Sequence, residues 1–421
     1  MVRVITYGTY DLLHYGHRRL LERAKALGDY LIVGVTADNF DKNRGKINVQ
    51  QSLMERIEGV RATGLADEII VEEYEGQKID DIRRYGVDIF TVGSDWVGKF
   101  DYLEEYCKVI YLPRTEGVSS SQMRSNKRKV TVRIVEDKGI GSKIARESTF
   151  VNGVEVLLDN SSDREDAIYL LSMPERHYGL IKAAIKEGKH ILCESPIAMN
   201  EKECRELFDL AKANNVVLMD AIKTAYATAY NRLLLLVKSG EIGQIISVDV
   251  TCTSLMRNYN PEKLGNVWSS ITAWGPTALL PVFQILGTRY TDKHIVSQYI
   301  DKNKSFDGFT KIDFVYPKAV ASVKIAKAAK SEGSMVITGT KGYIYVPAPW
   351  WKTDYFEIKY EDQNQNKRFF YKLEGEGIRY ELVAFSKEIE SGVKAGYISE
   401  DVSVAIAKVM EDWSAKKVSI I

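Results

Sequence analysis

Val2-Arg-Val-Ile-Thr-Tyr-Gly-Thr-Tyr-Asp-Leu-Leu-His-Tyr-Gly-His17 is the stretch whose reading decides the fold. Val2 to Tyr7 is short, largely β-branched or apolar, and bounded by Gly8, which predicts a buried first strand. Thr9 and Asp11 are turn and N-cap formers, and Arg18 to Leu27 has helical spacing. His14 and His17 therefore fall where a strand feeds a helix, near the positive end of that helix. Free amides at a helix N-terminus, flanked by imidazole donors, make a phosphate site. Gly8 would let a ligand approach the backbone closely.

Working outward, Tyr30 to Thr36 predicts a second buried strand, so residues 2–36 form a βαβ unit. Strand-like runs recur at Glu68–Val71, Asp88–Val92 and Lys108–Tyr111, separated by helical stretches over Ser52–Thr63 and Gln77–Tyr85. This alternation implies a parallel sheet covered on both faces, with ligands at the carboxyl ends of the strands. Three further stretches fall at those ends: the basic loop Asp41–Lys46, Gly93-Ser-Asp-Trp96, and Arg114–Ser121 ahead of a helix. Each has a plainer reading, as solvated charge, a turn with a core indole, and helix N-caps. A His-x-x-His pair alone is more often surface, satisfied core or part of a zinc site. Zinc is disfavoured because no cysteine lies near and the next histidine is His177.

A chain of 421 residues exceeds one typical core and predicts two or three domains. The net charge of +1 offers no electrostatic case for nucleic acid or an anionic membrane. Cys107, Cys193, Cys204 and Cys252 lack the spacing of a disulfide framework or a zinc knuckle. With a strand starting at residue 2 and no apolar run of membrane-spanning length, a cytoplasmic protein is expected.

The block Gly-Thr-Tyr-Asp-Leu-Leu-His-Tyr-Gly-His, with Arg44-Gly-Lys46, Val92–Trp96 and Arg114–Ser120, resembles the glycerol-3-phosphate cytidylyltransferase family over residues 1–126. The resemblance implies transfer of CMP from CTP to an alcohol phosphate; magnesium accompanying the CTP is expected from the chemistry of a triphosphate, and a homodimer is expected. It assigns His14, His17, Lys46 and Arg114 to catalysis. Gly8, Thr9, Tyr10 and Arg44 would bind nucleotide, together with Asp95, Thr115, Ser119 and Ser120. Asp11, Arg61 and Trp96 would face the acceptor. One departure stands out. The family has a basic residue just before its Val-Asp-Glu-Val, where this chain has Gly64, with Arg61 one turn earlier. Other acceptors, such as glycerol 2-phosphate, a longer polyol phosphate or a phosphonate, therefore stay open. By analogy the product would feed teichoic-acid or capsule synthesis.

After Lys127-Arg-Lys129 a second pattern begins. Val130–Val135 is a strand, Gly139-Ile-Gly141 opens a helix, and Val154–Leu158 leads to Asp159, spaced from Gly139 as a dinucleotide fold would place it. Ala167–His177, Ala183–Ile197 and Lys238–Gln244 resemble the glucose–fructose oxidoreductase and inositol dehydrogenase family. Against that family, Glu136-Asp-Lys-Gly-Ile-Gly141 keeps only the third glycine of the phosphate loop. Glu194-Ser195-Pro196 lacks the family's lysine, and Ala273-Trp-Gly275 lacks its proton-transfer acid. The βα segment between Asp159 and Ala167 is also missing.

The expected fold is α/β. A Rossmann-like nucleotidyltransferase αβα domain (1–126) precedes an abbreviated dinucleotide fold (127–225) and an α+β domain with an open, mostly antiparallel sheet (226–421). No NAD(P), nucleic acid or membrane partner is expected. The alternatives for the C-terminal part are a working NAD(P)-dependent reductase that makes the polyol phosphate, a ligand sensor, or a dimerisation module.

Overall fold

Alternation along the first strand puts Val4 on one face of a sheet and Ile5 on the other, and each face gathers its own core. The structure, a computed structural model, describes residues 1–37, 49, 51, 53–74, 76–113, 129–137, 139–151, 153–158, 165–256, 267–371, 373–392 and 397–421. Two units emerge, Met1–Lys129 and Val130–Ile421.

In the first unit the elements run β1 (Arg3–Gly8), α1 (Tyr15–Lys25), β2 (Tyr30–Thr36), α2 (Leu53–Ala62), β3 (Glu68–Glu72), α3 (Gln77–Tyr85), β4 (Ile89–Gly93) and β5 (Lys108–Leu112). The strands form a parallel sheet ordered β3-β2-β1-β4-β5. One face packs Val4, Leu31, Val33 and Val35 against Leu21 and Ala24 of α1 and Ile57 and Val60 of α2. The other packs Ile5, Ile32, Phe90 and Val92 against Ile82 of α3. Strand order reverses between β1 and β4, so a crevice opens at their carboxyl ends.

The second unit holds two sheets. β6 (Val130–Val135), α4 (Gly141–Ser148), β7 (Val154–Leu157), β8 (Ala167–Leu170), α5 (Pro174–Lys186), β9 (His190–Cys193), α6 (Glu201–Ala213) and β10 (Leu218–Asp220) build the first. It is parallel and ordered β10-β9-β8-β6-β7. Among the described residues β7 is its edge strand, with no third strand of a complete dinucleotide half beyond it. The short helices α7 (Lys223–Tyr226) and α8 (Thr228–Lys238) lead into β11 (Ile245–Thr253) of the other sheet. α9 (Ser270–Leu286) packs across it, followed by β12 (Asp292–Tyr299), β13 (Asp307–Val315), β14 (Val320–Ala326), β15 (Met335–Gly339), β16 (Gly342–Val346), β17 (Tyr355–Tyr360) and β18 (Lys367–Phe370). α10 (Ile378–Ser391), α11 (Glu400–Ser414) and β19 (Ser419–Ile420) end the chain. This nine-stranded sheet is antiparallel except where β11 meets β14 and β12 meets β19. Among the described residues no helix is long and apolar enough to cross a membrane.

Candidate nucleotide site and the second cleft

The loop from β1 to α1 is wound tightly enough to put two non-glycine residues in the left-handed region, Tyr10 (φ 53°) and Leu12 (φ 49°). Tyr10 folds back so that its ring covers Gly8. A Cβ on Gly8 would lie 3.0 Å from that ring. The smallness of Gly8 accommodates a side chain of its own loop, and the Tyr10 side chain, 1% exposed, packs in the core. Desolvation raises the Tyr10 phenol well above its ordinary range.

His14 is the N-cap of α1, in extended geometry, and its Nδ1 accepts from the His17 amide at 3.3 Å. With Nδ1 accepting, a neutral His14 ring carries its proton on Nε2 and is a donor there. His17, one turn on, stacks against it with ring centroids 3.9 Å apart and planes 14° from parallel. Tyr10 meets the edge of His17 at 5.6 Å. Two imidazoles at a helix N-terminus, at the switch point of a parallel sheet, form a donor cluster suited to phosphate oxygens.

The residues around this pair are fixed by buried hydrogen bonds. Asp11, 3% exposed, accepts from the Gln51 amide at 2.9 Å, and Gln51 Oε1 in turn accepts from the Leu12 amide at 2.7 Å. The Asp11 carboxylate is thus engaged with the backbone ahead of α2. Arg56, fully buried, donates to the carbonyls of Thr9 (2.7 Å), Thr36 (2.8 Å) and Gln51 (3.2 Å), tying the ends of β1 and β2 to α2. Sequence reasoning missed Arg56. Its signal was a charge on the helical stripe of Ile57 and Val60. Arg61, by contrast, lies on the exposed side of α2 and pairs with Glu58. Gly64 takes φ +68°, so the turn after α2 explains the glycine where the family has a base.

At the neighbouring strand end, Asp95 and Trp96 lie in a single 3₁₀ turn (Ser94–Trp96) after β4. Both are exposed, and Trp96 leans on Phe100 with centroids 5.8 Å apart. Across the sheet a second buried network escaped sequence reasoning. Lys78 pairs with Glu72, Thr36 Oγ1 donates to Glu72 at 2.8 Å, and Tyr7 donates to Asp81 at 2.8 Å. Lys46, Arg114, Arg44, Thr115, Ser119 and Ser120 lie outside the described residues. Among the described residues no cluster of His, Cys, Asp or Glu forms a metal cage.

In the second unit the departures from the oxidoreductase pattern have structural counterparts. Glu136, at the first-glycine position, sits at φ 57° and pairs with Arg176 at 2.5 Å. Ser195 is buried, and its hydroxyl bears on the Asp220 carboxylate, whose proton it helps to release. Ala273 lies on α9, where the retained Gly275 gives room to Met410, since a Cβ there would come within 2.9 Å of it. Lys223 stands in the same region, its ammonium favoured by the charge of Glu194.

Comparisons with known proteins agree with this division. A cytidylyltransferase-like family model matches residues 5–131, and the oxidoreductase family model with an NAD-binding Rossmann fold matches residues 119–221. Glycerol-3-phosphate cytidylyltransferase of Bacillus spizizenii is 51% identical over 126 residues, covering 30% of this chain and 97% of that protein. The Staphylococcus aureus enzyme of the same name is 48% identical over 128 residues, covering 30% and 93%. A scyllo-inositol 2-dehydrogenase (NADP⁺) of Bacillus subtilis is 42% identical, but over only 73 residues, 17% of this chain and 22% of its own length. Two solved structures share the fold of the second unit. An aldose–aldose oxidoreductase of Caulobacter crescentus has a TM-score of 0.60 at 14% identity, covering 69% of this chain and 98% of that one. A 3-ketoreductase of Actinomadura kijaniata has a TM-score of 0.58 at 15% identity, covering 70% and 99%. With 51% identity across 97% of a curated relative, the chain belongs to the glycerol-3-phosphate cytidylyltransferase family of nucleotidyltransferases, and it carries an oxidoreductase-like unit behind that part.

Proposed function

We propose that the protein transfers CMP from CTP to a glycerol phosphate, giving CDP-glycerol and pyrophosphate. The observation that carries this reading is the stacked His14–His17 pair at the N-terminus of α1, beside the reversal of strand order between β1 and β4. A phosphate oxygen of the acceptor attacks the α-phosphorus of CTP, a new P–O bond forms, and pyrophosphate leaves with the electrons of the broken bond. Such a displacement asks the protein mainly for positioning and charge stabilisation. His14 and His17 donate to the oxygens on which charge grows. Lys46, Arg44 and Arg114 hold phosphates, with Thr9, Thr115, Ser119 and Ser120 as further donors, and Asp95 accepts from the cytosine amino group. Magnesium arrives as part of the MgCTP substrate.

The test is pyrophosphate release by the full-length protein with MgCTP across glycerol 3-phosphate, glycerol 2-phosphate, longer polyol phosphates, ethanolamine phosphate and phosphonates. Glycerol 3-phosphate is expected to lead. Silence from a folded protein across the panel would refute the assignment.

The second unit is read as a non-redox module, because Ser195 and Ala273 stand where the oxidoreductase pattern needs a lysine and a proton-transfer acid. The reductase reading has one observation in its favour, the charged Lys223 facing Glu194. Oxidation of NAD(P)H by a keto-polyol phosphate would establish that reading instead.

A further inference from the structure

In a dinucleotide fold, the amides between the first strand and the first helix receive the cofactor's pyrophosphate. In the second unit, this loop runs from β6 to α4, and its amides are already taken. Gly139, Ile140 and Gly141 all donate to a single oxygen, Asp137 Oδ1, at 2.8, 2.9 and 2.8 Å. The other carboxylate oxygen presses on the start of the helix, since a Cβ on Gly141 would lie 2.7 Å from Asp137 Oδ2. Three convergent N–H donors on one anionic oxygen is the arrangement such a nest offers to a phosphate.

We propose that the Asp137 carboxylate is a built-in occupant of the phosphate nest, so that the second unit is a dinucleotide fold closed by its own side chain and takes no NAD(P). This rests on the non-redox reading above and supplies its physical cause. A pyrophosphate entering the nest would have to displace a carboxylate holding three hydrogen bonds, or sit beside it as a like charge. Among the described residues, the neighbouring charges are engaged elsewhere. Glu136 adds a second carboxylate on the strand side, compensated by Arg176 rather than left to attract cations. Lys143, in the first turn of α4, is spent on Glu376 at 2.6 Å, which also holds Lys352 at 2.9 Å. Glu147 of the same helix pairs with Arg379 at 2.8 Å, so residues 376–379 and α4 are tied together by ion pairs. Sequence alone shows only that the loop keeps the third glycine of the pattern. The geometry points instead to occupancy.

The experiment is NADPH and NADH binding to the full-length protein, followed by nicotinamide fluorescence and equilibrium dialysis, with excess CTP filling the first unit's nucleotide site. Wild type is expected to show no saturable binding below about 1 mM, and tighter binding would overturn the closure. Asp137→Gly empties the nest and is expected to improve NADPH affinity at least about tenfold. Asp137→Asn keeps an acceptor oxygen in place and is expected to stay closed. A folded Gly variant, with wild-type circular dichroism and cytidylyl transfer, that gains nothing would overturn the proposal, as would an Asn variant that gains as much as Gly. Should the Gly variant fail to fold, the wild-type and Asn measurements still decide. Binding of NADPH by wild type without oxidation would end the closure proposal and leave the non-redox reading standing. Oxidation with a keto-polyol phosphate would end both.

Discussion

His14 holds two roles that one pair of substitutions can separate. Its Nδ1 caps α1 through the His17 amide, and its ring forms half of the stacked pair at the proposed phosphate site. Asparagine at this position would keep an N-cap acceptor and lose the imidazole, whereas alanine would lose both. Both His14→Asn and His14→Ala are expected to lower kcat for pyrophosphate release by at least about 100-fold, or about 3 kcal/mol of transition-state stabilisation. Only the alanine variant should also lose stability, by about 1 kcal/mol in denaturant titration. An asparagine variant with wild-type kcat would show that the imidazole serves the helix and not the chemistry.

The β1–α1–β2 unit could be read from residues because its forces are local. The apolar run Tyr30–Thr36 ends where its strand ends, while the cap of α1 is His14 rather than the expected Thr9 or Asp11, and the helix begins at Tyr15 rather than Arg18. Arg56 and Lys78 could not be read that way. Each is a charge in an amphipathic helix, where solvent is the ordinary reading. Only strands brought in from elsewhere supply the carbonyls of Thr9 and Thr36, or the carboxylate of Glu72, that make burial tolerable. The pairing of the second unit's large sheet was hidden for the same reason. β11 lies parallel to β14 across a long separation, and alternation within Ile245–Cys252 says nothing about which strand lies beside it. Arg56 also sets a prediction for α2. A lysine at this position has one compact ammonium for three carbonyls that a guanidinium fork reaches together. Arg56→Lys is expected to lose about 2 kcal/mol of stability and to raise KM for CTP, because the Thr9 end of the His14 loop loosens. An unchanged melting curve and KM would show that the fork is dispensable.

The second unit carries buried acids, and these make its stability respond to pH. Burial pushes Asp220 up to about 7, with the Ser403 hydroxyl, donating at 2.8 Å, pulling the other way. Burial likewise pushes Glu381 up to about 8, opposed by Lys223 and by the Tyr169 hydroxyl, which donates at 2.7 Å. Glu194 faces both and raises both. The unfolded chain releases these protons near the ordinary carboxyl values of 3.8 and 4.5. Between those values and the raised ones the folded state binds more protons than the unfolded state. The resulting stability is complete below the unfolded values and is lost as pH rises through about 7 and about 8. His177 works in the opposite direction, since burial lowers it below its ordinary 6.5 and its contribution is lost in acid. It is silent above about pH 7, and burial also holds the Cys193, Cys204 and Cys252 thiols above their ordinary value of 9.0, so that they add to the loss as pH nears 9 and the carboxyls are read best just above neutrality. Melting of the second unit is therefore expected to fall as pH rises from 7, with the two carboxyls setting the slope up to about pH 8, at a rate bounded by about 1.4 kcal/mol per pH unit for each carboxyl still protonated. The double variant Asp220→Asn, Glu381→Gln should flatten that slope. Saturating CTP should leave the slope unchanged while raising the melting of the first unit, because a ligand stabilises only the unit that binds it. A wild-type second unit whose melting temperature rises from pH 7 to about 8, or a double variant that keeps the full slope there, would show that these two acids do not set the response.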